Sequence, residues 1–229
     1  MLFQFTIWLY NERNKEIGVD KDMKWNQIPL GPLQTNCYIL SDDQTCIIFD
    51  PGEEPQKLIQ YIQTKKLQPL AVLLTHAHFD HIGALDAIRE HYQIPAYIHQ
   101  REAKWLSDPA LNGSQRWFPD SPMRLKPAEH VLTSEQELTI GSFHFQLFET
   151  PGHSPGSISY YLKEKGMLFS GDVLFLNSIG RTDLPGGNHD ELLQSIENKL
   201  LPLPDDTIVC PGHGPVTTIG DERVSNPFL

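Results

Sequence analysis

The pattern of apolar and polar positions predicts strands and helices that alternate along the chain. Two β-rich runs, residues 36–40 and 45–49, are separated by a polar turn and predict a hairpin. A helix is predicted over residues 55–66, because Pro55 suits a first turn and apolar residues follow at helical spacing. Residues 70–74 are apolar throughout, which is typical of a strand buried on both faces.

The remaining pattern extends this alternation to the end of the chain. The polar, Pro-rich stretch at residues 107–127 is predicted to be a loop at the rim of the functional site. Strands with interspersed helices in both halves predict an α/β fold, an αββα sandwich of two mixed β-sheets with helices on the outer faces. Further helices are predicted over residues 83–91, 100–106 and 190–200, and further strands over residues 96–99, 137–140, 142–148, 157–162, 167–169 and 207–210.

The domain organisation follows from length and from the first strand signal. A chain of 229 residues fits one domain. Since the first strand pattern begins near Met23, we assign residues 23–229 to that domain and residues 1–22 to an N-terminal appendage outside the core. Residues 1–22 have no basic start and no small-residue cleavage site, so a secretion signal is not indicated. No apolar run approaches the ~20 residues of a membrane span.

Charge and cysteine content narrow the partners and the compartment. The chain has 29 acidic and 18 basic residues, a formal net charge of −11, which repels nucleic acid and anionic membranes. We therefore expect neither as a partner. The 3 cysteines lack Cys-x-x-Cys spacing, so a disulfide framework is not indicated and reduced thiols in the cytoplasm are expected.

The strongest chemical signal is a cluster of ligand-type side chains after the buried strand. His76, His78, Asp80 and His81 fall within six positions, where that strand ends and the next helix begins. Imidazole and carboxylate are usual donors for divalent metals, and a turn between strand and helix can direct several of them to one point. A metal site is therefore favoured over a solvated polar loop.

Two later turns carry the same kind of residue. His153 and His213 each follow Pro-Gly after a predicted strand, and Asp172 follows Ser-Gly after another. Proline ends a strand and glycine permits a sharp turn, so both histidines are directed inward. Either turn alone would be an ordinary surface turn. Together with the cluster they give seven ligands, which suit two metal ions with an open position rather than one tetrahedral zinc.

These residues resemble the metallo-β-lactamase superfamily, in which a His-x-His-x-Asp-His motif, a later His, an Asp and a final His hold the metals. The resemblance spans nearly the whole chain and implies the metallo-β-lactamase fold. It implies that His76, His78 and His153 bind one metal, that Asp80, His81 and His213 bind the other, and that Asp172 bridges them. True zinc β-lactamases typically have Cys at the position of Asp172, which disfavours antibiotic hydrolysis.

Three further segments, residues 33–38, 180–183 and 226–229, are similar to the glyoxalase II, or hydroxyacylglutathione hydrolase, branch. This likeness implies a binuclear hydrolase of a thioester such as a hydroxyacyl-glutathione or a related acyl-thiol. Zinc is the expected metal, with iron and manganese as alternatives. Asp80 is expected to orient the nucleophile while it ligates the second metal.

Several alternatives remain open from the sequence. Arg181 is predicted to bind a substrate carboxylate, and an ion pair with Asp183 that shapes the loop is equally compatible with the pattern. A persulfide dioxygenase-like iron enzyme, a lactonase and a non-catalytic metal-binding sensor are the other functions considered. The remaining histidines are predicted not to be ligands, and these are His91, His99, His130, His144 and His189.

Overall fold

The first β-sheet is formed by strands between residues 24 and 132. The computed structural model describes residues 23–229, so the predicted appendage at residues 1–22 lies outside the described part. Six strands follow one another across the sheet in chain order, antiparallel as far as the third strand and parallel from there onward. They are β1 (Lys24–Leu30), β2 (Thr35–Ser41), β3 (Thr45–Phe49), β4 (Gln68–Leu73), β5 (Ala96–His99) and β6 (His130–Leu132).

The second β-sheet contains the rest of the long strands. Its strands are β7 (Glu137–Ile140), β8 (Phe143–Glu149), β9 (Ile158–Leu162), β10 (Met167–Gly171), β13 (Ile208–Pro211) and β14 (Thr217–Thr218). Their order is β14-β13-β10-β9-β8-β7, with β10 and β13 parallel and the other pairs antiparallel. A separate two-stranded hairpin is formed by β11 (Leu174–Phe175) and β12 (Ser178–Ile179).

The helices connect these strands. They are α1 (Pro55–Lys65), α2 (Phe79–Ile82), α3 (Leu85–Tyr92), α4 (Ser114–Trp117), α5 (His189–Ser195), which continues as a π turn over Ile196–Leu200, and α6 (Ile219–Ser225).

Of two helix predictions in this region, one is confirmed and one is wrong. The helix predicted over residues 83–91 corresponds to α3 (Leu85–Tyr92), which begins two residues later and ends one residue later. The helix predicted over residues 100–106 is wrong, since Gln100–Glu102 and Trp105–Ser107 form two separate 3₁₀ turns. The backbone bonds in this segment join residues three apart, Ala103 to Gln100 and Ser107 to Lys104, which is the 3₁₀ pattern.

Three apolar layers show how the sheets and helices pack. Between the two sheets, the Phe49 ring stacks on Phe169 at a centroid distance of 4.0 Å, with Phe145 and Tyr160 packed against it. Helices α1 and α3 pack against the outer face of the first sheet, and α5 against the outer face of the second. The predicted αββα sandwich of two mixed sheets is therefore confirmed.

This packing brings the connections after β3, β4, β8, β10 and β13 to one edge of the sandwich. Leu74 donates to the Tyr97 carbonyl, whereas Ile158 donates across the two sheets to Thr75 at 2.9 Å. The second bond joins the sheets at this edge. Within residues 23–229, no helix combines the length and the apolar character needed to cross a bilayer.

Candidate metal centre

The first four candidate ligands lie on the connection between β4 and α2. His76 and His78 precede the helix, whereas Asp80 and His81 lie within its single turn. All four side chains are buried, with at most 9% of the residue exposed. Buried imidazoles and carboxylates are costly unless they have partners, so this connection needs either a network of hydrogen bonds or a bound cation.

Asp50, directly after β3, holds this connection in place. Its Oδ1 accepts the Thr75 N–H at 2.8 Å, and its Oδ2 accepts the Thr75 hydroxyl at 2.6 Å. The same Oδ2 lies 3.1 Å from Nδ1 of His81. When Nδ1 carries the proton for that bond, Nε2 of His81 is unprotonated and its lone pair can bind a metal.

His153 and His213 lie directly after β8 and β13, on the two predicted Pro-Gly-His turns. Nδ1 of His153 donates to the Arg181 carbonyl at 2.8 Å, and Nδ1 of His213 lies 3.2 Å from the Leu33 carbonyl. Both contacts assign the proton to Nδ1, because a carbonyl oxygen can only accept. Nε2 of each ring then faces the cluster with its lone pair.

The glycines of these turns are needed for close approach. Gly152 has φ +133°, and a Cβ there would lie 2.3 Å from the backbone of Leu192 in α5. A Cβ at Gly212 would lie 2.1 Å from Oδ1 of Asp172 and 2.8 Å from Cε1 of His81. A larger residue at position 212 would therefore occupy space that the cluster itself uses.

Asp172, after β10, lies between the other candidates. Its Oδ1 is 3.4 Å from Nε2 of His81. Its Oδ2 is 3.6 Å from Nε2 of His153 and 3.5 Å from Nε2 of His213. One carboxylate thus faces both of the histidine sets that the family resemblance implies.

The structure brings all seven predicted ligands together. Their donor atoms form three overlapping groups, and within each group these atoms lie within 4.8 Å of one another. Two of the groups coincide with the two metal-binding sets implied by the resemblance, and the third contains Asp172. The groups are His76, His78 and His153; His76, His81 and Asp172; and Asp80, His81 and His213.

The chemistry of the donor set fits divalent cations. Nε2 of His76, Nε2 of His81 and Oδ1 of Asp172 are buried and have no hydrogen-bond partner among the described residues. Orphaned buried polar atoms are rare in native proteins and call for an explanation. Because His76, His81 and Asp172 form one of the three ligand groups, a shared cation would account for all three atoms.

Electrostatics keeps two of the histidines in the form that binds metal. Burial, reinforced by the neighbouring imidazole of His81, holds the pKa of His76 well below its usual value. Burial and the nearby His153 lower the pKa of His78 to about 3. A ligand imidazole must be neutral, so these shifts favour metal binding at ordinary pH.

The carboxylates carry negative charge into the same cluster. Burial opposes ionisation of Asp80, but the neighbouring His81 and His213 and a hydrogen bond from the Thr35 hydroxyl lower its pKa to about 2. Burial likewise opposes protonation of His81, but the carboxylates of Asp80 and Asp172 raise its pKa well above the usual value. A cation bound in the cluster replaces this proton as the counter-charge.

The profile of the family described as "Metallo-beta-lactamase superfamily" matches residues 30–213. The chain belongs to the metallo-β-lactamase superfamily. "Probable metallo-hydrolase YqgX" of Bacillus subtilis (strain 168) is 55% identical, and the match covers 90% of this chain and 98% of YqgX. "Hydroxyacylglutathione hydrolase GloC" of Haemophilus influenzae is 39% identical, with 88% of this chain and 96% of GloC covered.

Solved structures of the superfamily agree with the fold. BLEG-1, described as a B3 metallo-β-lactamase, has 60% sequence identity and a TM-score of 0.88, covering 90% of this chain and 99% of its own. TTHA1623 in a di-iron-bound form has 41% identity and a TM-score of 0.76, covering 89% and 100%. The family and its relatives support assignment of this chain as a metal-dependent hydrolase.

Arg181 contributes to this superfamily site through its backbone. Its guanidinium forms a two-point ion pair with Asp183, in which both N–O distances are 2.7 Å. The Arg181 side chain is 57% exposed, and its carbonyl holds His153. The structure thus contains the ion pair that the sequence left open, and substrate binding by Arg181 remains a prediction.

The histidines predicted not to be ligands lie outside the three groups. His99 contacts Glu149 at 3.0 Å, and His144 contacts the Thr139 hydroxyl at 3.0 Å. Neither pair includes a candidate ligand. Among the described residues, the groups that could hold a metal also leave out His91, His130 and His189.

Sequence reasoning missed two residues that hold the candidate ligands. Asp50 was not singled out, although Asp50-Pro51-Gly52 follows a buried strand just as the two Pro-Gly-His turns do. Thr35 was also missed, and its hydroxyl donates to Oδ2 of Asp80 at 2.7 Å. The Pro-Gly pattern could have identified Asp50, whereas no local spacing relates Thr35 to Asp80.

Proposed function

We propose that this chain is a binuclear metal-dependent hydrolase that cleaves a thioester, either a hydroxyacyl-glutathione or a related acyl-thiol. The observation that carries the proposal is the pair of ligand groups joined by Asp172, whose two oxygens face different histidines. The 39% identity to a hydroxyacylglutathione hydrolase supports the substrate class.

The metal ligands and the residues that hold them would have different roles in hydrolysis. When bound, two divalent cations lower the pKa of water and polarise a carbonyl group. Asp80 orients the attacking water with its carboxylate, and the Thr35 hydroxyl fixes one oxygen of that carboxylate. A leaving thiol has a pKa of ~8.5, so the reaction needs little help from a general acid.

Zinc is the proposed metal, because a set of imidazoles and carboxylates with an open position is typical of catalytic zinc. Iron is the main alternative, supported by the 41% identical TTHA1623 in its di-iron-bound form. Manganese also accepts this donor set. Elemental analysis of protein purified from cells grown with all three metals would identify the metal that the site retains.

The substrate, the compartment and the role of Arg181 belong to the same proposal. A small acyl-thiol is the expected partner, and Arg181 would bind a substrate carboxylate after it releases Asp183. All three cysteines are free and buried, which supports a reducing compartment such as the cytoplasm. Subcellular fractionation of the native host tests the location.

The decisive assay is turnover of S-lactoylglutathione by metal-loaded protein. We expect thioester hydrolysis by the wild-type protein and loss of at least about 100-fold in kcat/KM for His78→Ala, about 2.7 kcal/mol. Absence of turnover with the wild-type protein at two equivalents of metal would refute the substrate. Oxygen uptake with a persulfide substrate would instead identify a dioxygenase.

β-Lactam hydrolysis is a second candidate, because the 60% identical BLEG-1 is described as a metallo-β-lactamase. Asp172 disfavours it, since typical zinc β-lactamases have cysteine at this position. A chromogenic cephalosporin assayed beside the thioester distinguishes the two activities. We expect the larger kcat/KM for the thioester, and the reverse order would assign the chain to antibiotic hydrolysis.

A further inference from the structure

Glu102 is a fully buried carboxylate that lies on the 3₁₀ turn after β5. Its Oε2 accepts the Ala77 N–H at 2.6 Å, and its Oε1 accepts the Gly156 N–H at 2.7 Å. The Ser154 hydroxyl is a third donor. Both carboxylate oxygens are therefore used for hydrogen bonds to the backbone.

These two backbone donors belong to two different ligand turns. Ala77 lies between His76 and His78 on the connection after β4, in the first sheet. Gly156 lies in the turn that carries His153, after β8 of the second sheet. One side chain thus joins the two turns that supply the three-histidine group of His76, His78 and His153.

The packing around Glu102 is adapted to this link. A Cβ on Gly156 would lie 2.8 Å from Cγ of Glu102, so glycine at this position lets the carboxylate reach the backbone. The two joined turns also bring Nδ1 of His78 within 2.9 Å of Nε2 of His153. A change in the separation of the two turns therefore changes the distance between these ligand atoms directly.

The second ligand group is held by different residues. Thr35 contacts Asp80, Asp50 contacts His81, and the Leu33 carbonyl lies against His213. The hydrogen bonds of Glu102 go to Ala77, between His76 and His78, and to the turn that carries His153, and within residues 23–229 none goes to Asp80, His81 or His213. Glu102 thus forms its hydrogen bonds on the side of the three-histidine group, whereas Thr35, Asp50 and the Leu33 carbonyl contact the ligands of the second group.

We propose that Glu102 is a positioning residue that sets the affinity of the three-histidine group for its cation and leaves the other group unaffected. This inference rests on the binuclear centre of the proposed function but not on its substrate. A glutamine at this position offers one carbonyl oxygen and one NH₂ group, so one of the two backbone donors would face another donor. The two turns would then separate.

The test is a titration of the metal-free Glu102→Gln variant with Zn²⁺, in which equilibrium dialysis measures the bound metal. The melting temperature of the variant is then measured with and without metal. Loss of an outer support typically weakens metal affinity about 10- to 100-fold. We expect one equivalent to bind as in the wild-type protein and the other to bind about 10- to 100-fold more weakly. At one equivalent of Co²⁺, the absorption spectrum of the variant should show only the ion bound by the second ligand group.

Glu222→Gln is the matched control. Glu222 is also fully buried and accepts a backbone N–H, from Asn177 at 2.8 Å, but its partners lie outside the ligand turns. This variant should melt at a lower temperature while it binds two equivalents with wild-type affinity. Equal loss of metal in both variants would show that Glu102 acts only through the general stability of the fold. That result would overturn the proposal.

Gly156→Ala covers the case in which Glu102→Gln does not fold. It retains the carboxylate but presses a methyl group against it, and it should weaken the same equivalent by a smaller factor. Two tight equivalents in either folded variant would overturn the positioning role. Fewer than two equivalents in the wild-type protein would instead refute the binuclear centre, so the two failures are distinguishable.

Discussion

The hydroxyl of Thr35 lies 2.7 Å from Oδ2 of Asp80, the same oxygen that is 3.2 Å from Nε2 of His213. Thr35 also forms an isolated β-bridge with His213. A residue from the first sheet therefore fixes both a carboxylate and a histidine of the second ligand group. In the proposed reaction, Oδ1 of Asp80 is then the oxygen that would orient a water.

Replacement of Thr35 by valine tests this contact, because valine retains the branched shape and removes the donor. We expect kcat to fall about 10- to 100-fold, as is typical for loss of an outer support, whereas Thr35→Ser should retain most activity. Thr139→Val, on an exposed strand position, is the control and should leave kcat unchanged. Steady-state kinetics that give Thr35→Val the wild-type kcat would refute the role.

Asp172→Ala and Arg181→Ala should affect different kinetic constants. Asp172 faces both ligand groups, so its loss should lower kcat at least about 100-fold through misplaced ligands. Arg181 is exposed and paired with Asp183, so its loss should raise KM several-fold and leave kcat close to the wild-type value. Equal kcat values for the two variants, measured at full metal loading, would contradict the bridging position of Asp172.

Removal of metal should lower stability. The orphaned nitrogens of His76 and His81 and the orphaned oxygen of Asp172 have no partner among the described residues, and a bound cation would supply one. A ligand at 1,000 times its Kd stabilises the folded state by about 4 kcal/mol. Calorimetry of the purified protein should show two bound equivalents and a melting temperature that falls with a chelator and recovers with Zn²⁺. An unchanged melting temperature would contradict the metal centre.

Asp42 should contribute a pH-dependent part of stability far from the metal centre. Burial opposes its ionisation, but hydrogen bonds from the Thr45 backbone, the Ser142 hydroxyl and the Gln44 backbone lower its pKa to about 2. Because the folded-state pKa is below the unfolded value of ~3.9, the stabilisation is present above about pH 4 and is lost as pH falls towards 2.

Asp42→Asn should therefore cost about 1 kcal/mol of unfolding free energy at pH 7, and the deficit should shrink below about pH 4. Urea unfolding at pH 7, 5 and 3.5 measures this trend. Asp43→Asn is the control, since Asp43 is exposed and its one ion pair among residues 23–229, to Lys24 at 3.9 Å, is worth little. A deficit that is the same at every pH would show that the Asp42 charge does not matter.

Deletion of residues 1–22 tests the predicted boundary near Met23. If the catalytic domain begins there, the deletion should leave metal content unchanged and kcat/KM within about twofold, roughly 0.4 kcal/mol. Elemental analysis and thioester kinetics of the two lengths of chain decide the matter. Loss of folding after deletion would show that the segment belongs to the core.

The sequence predicted the candidate ligands better than the residues that hold those ligands in place. His76, His78, Asp80 and His81 are separated by fixed spacings, and the Pro-Gly-His turns repeat one local pattern, so both signals can be recognised without tertiary structure. Thr35 is distant in sequence from the Asp80 that it holds. Such a relationship arises only from the pairing of sheets and is not encoded in local spacing.

The secondary structure was likewise predicted well where the sequence has a clear local pattern and poorly elsewhere. Long strands with clear apolar patterns were predicted close to their observed bounds, whereas β6, β11, β12 and β14 were missed because two or three residues carry no periodicity. Glu102, Trp105 and Leu106 are buried at helical spacing, yet the segment forms 3₁₀ turns. Tertiary hydrogen bonds of Glu102 outweighed a local preference there.

The edge where the two sheets meet has a mechanical consequence for the whole molecule. His76 comes from the first sheet and Asp172 from the second, and the two belong to one ligand group. A cation held by both acts as a reversible cross-link that closes a long loop of chain, in addition to the apolar layer between the sheets. The halves can then separate only after the metal leaves, so the rate of unfolding becomes tied to the rate of metal release.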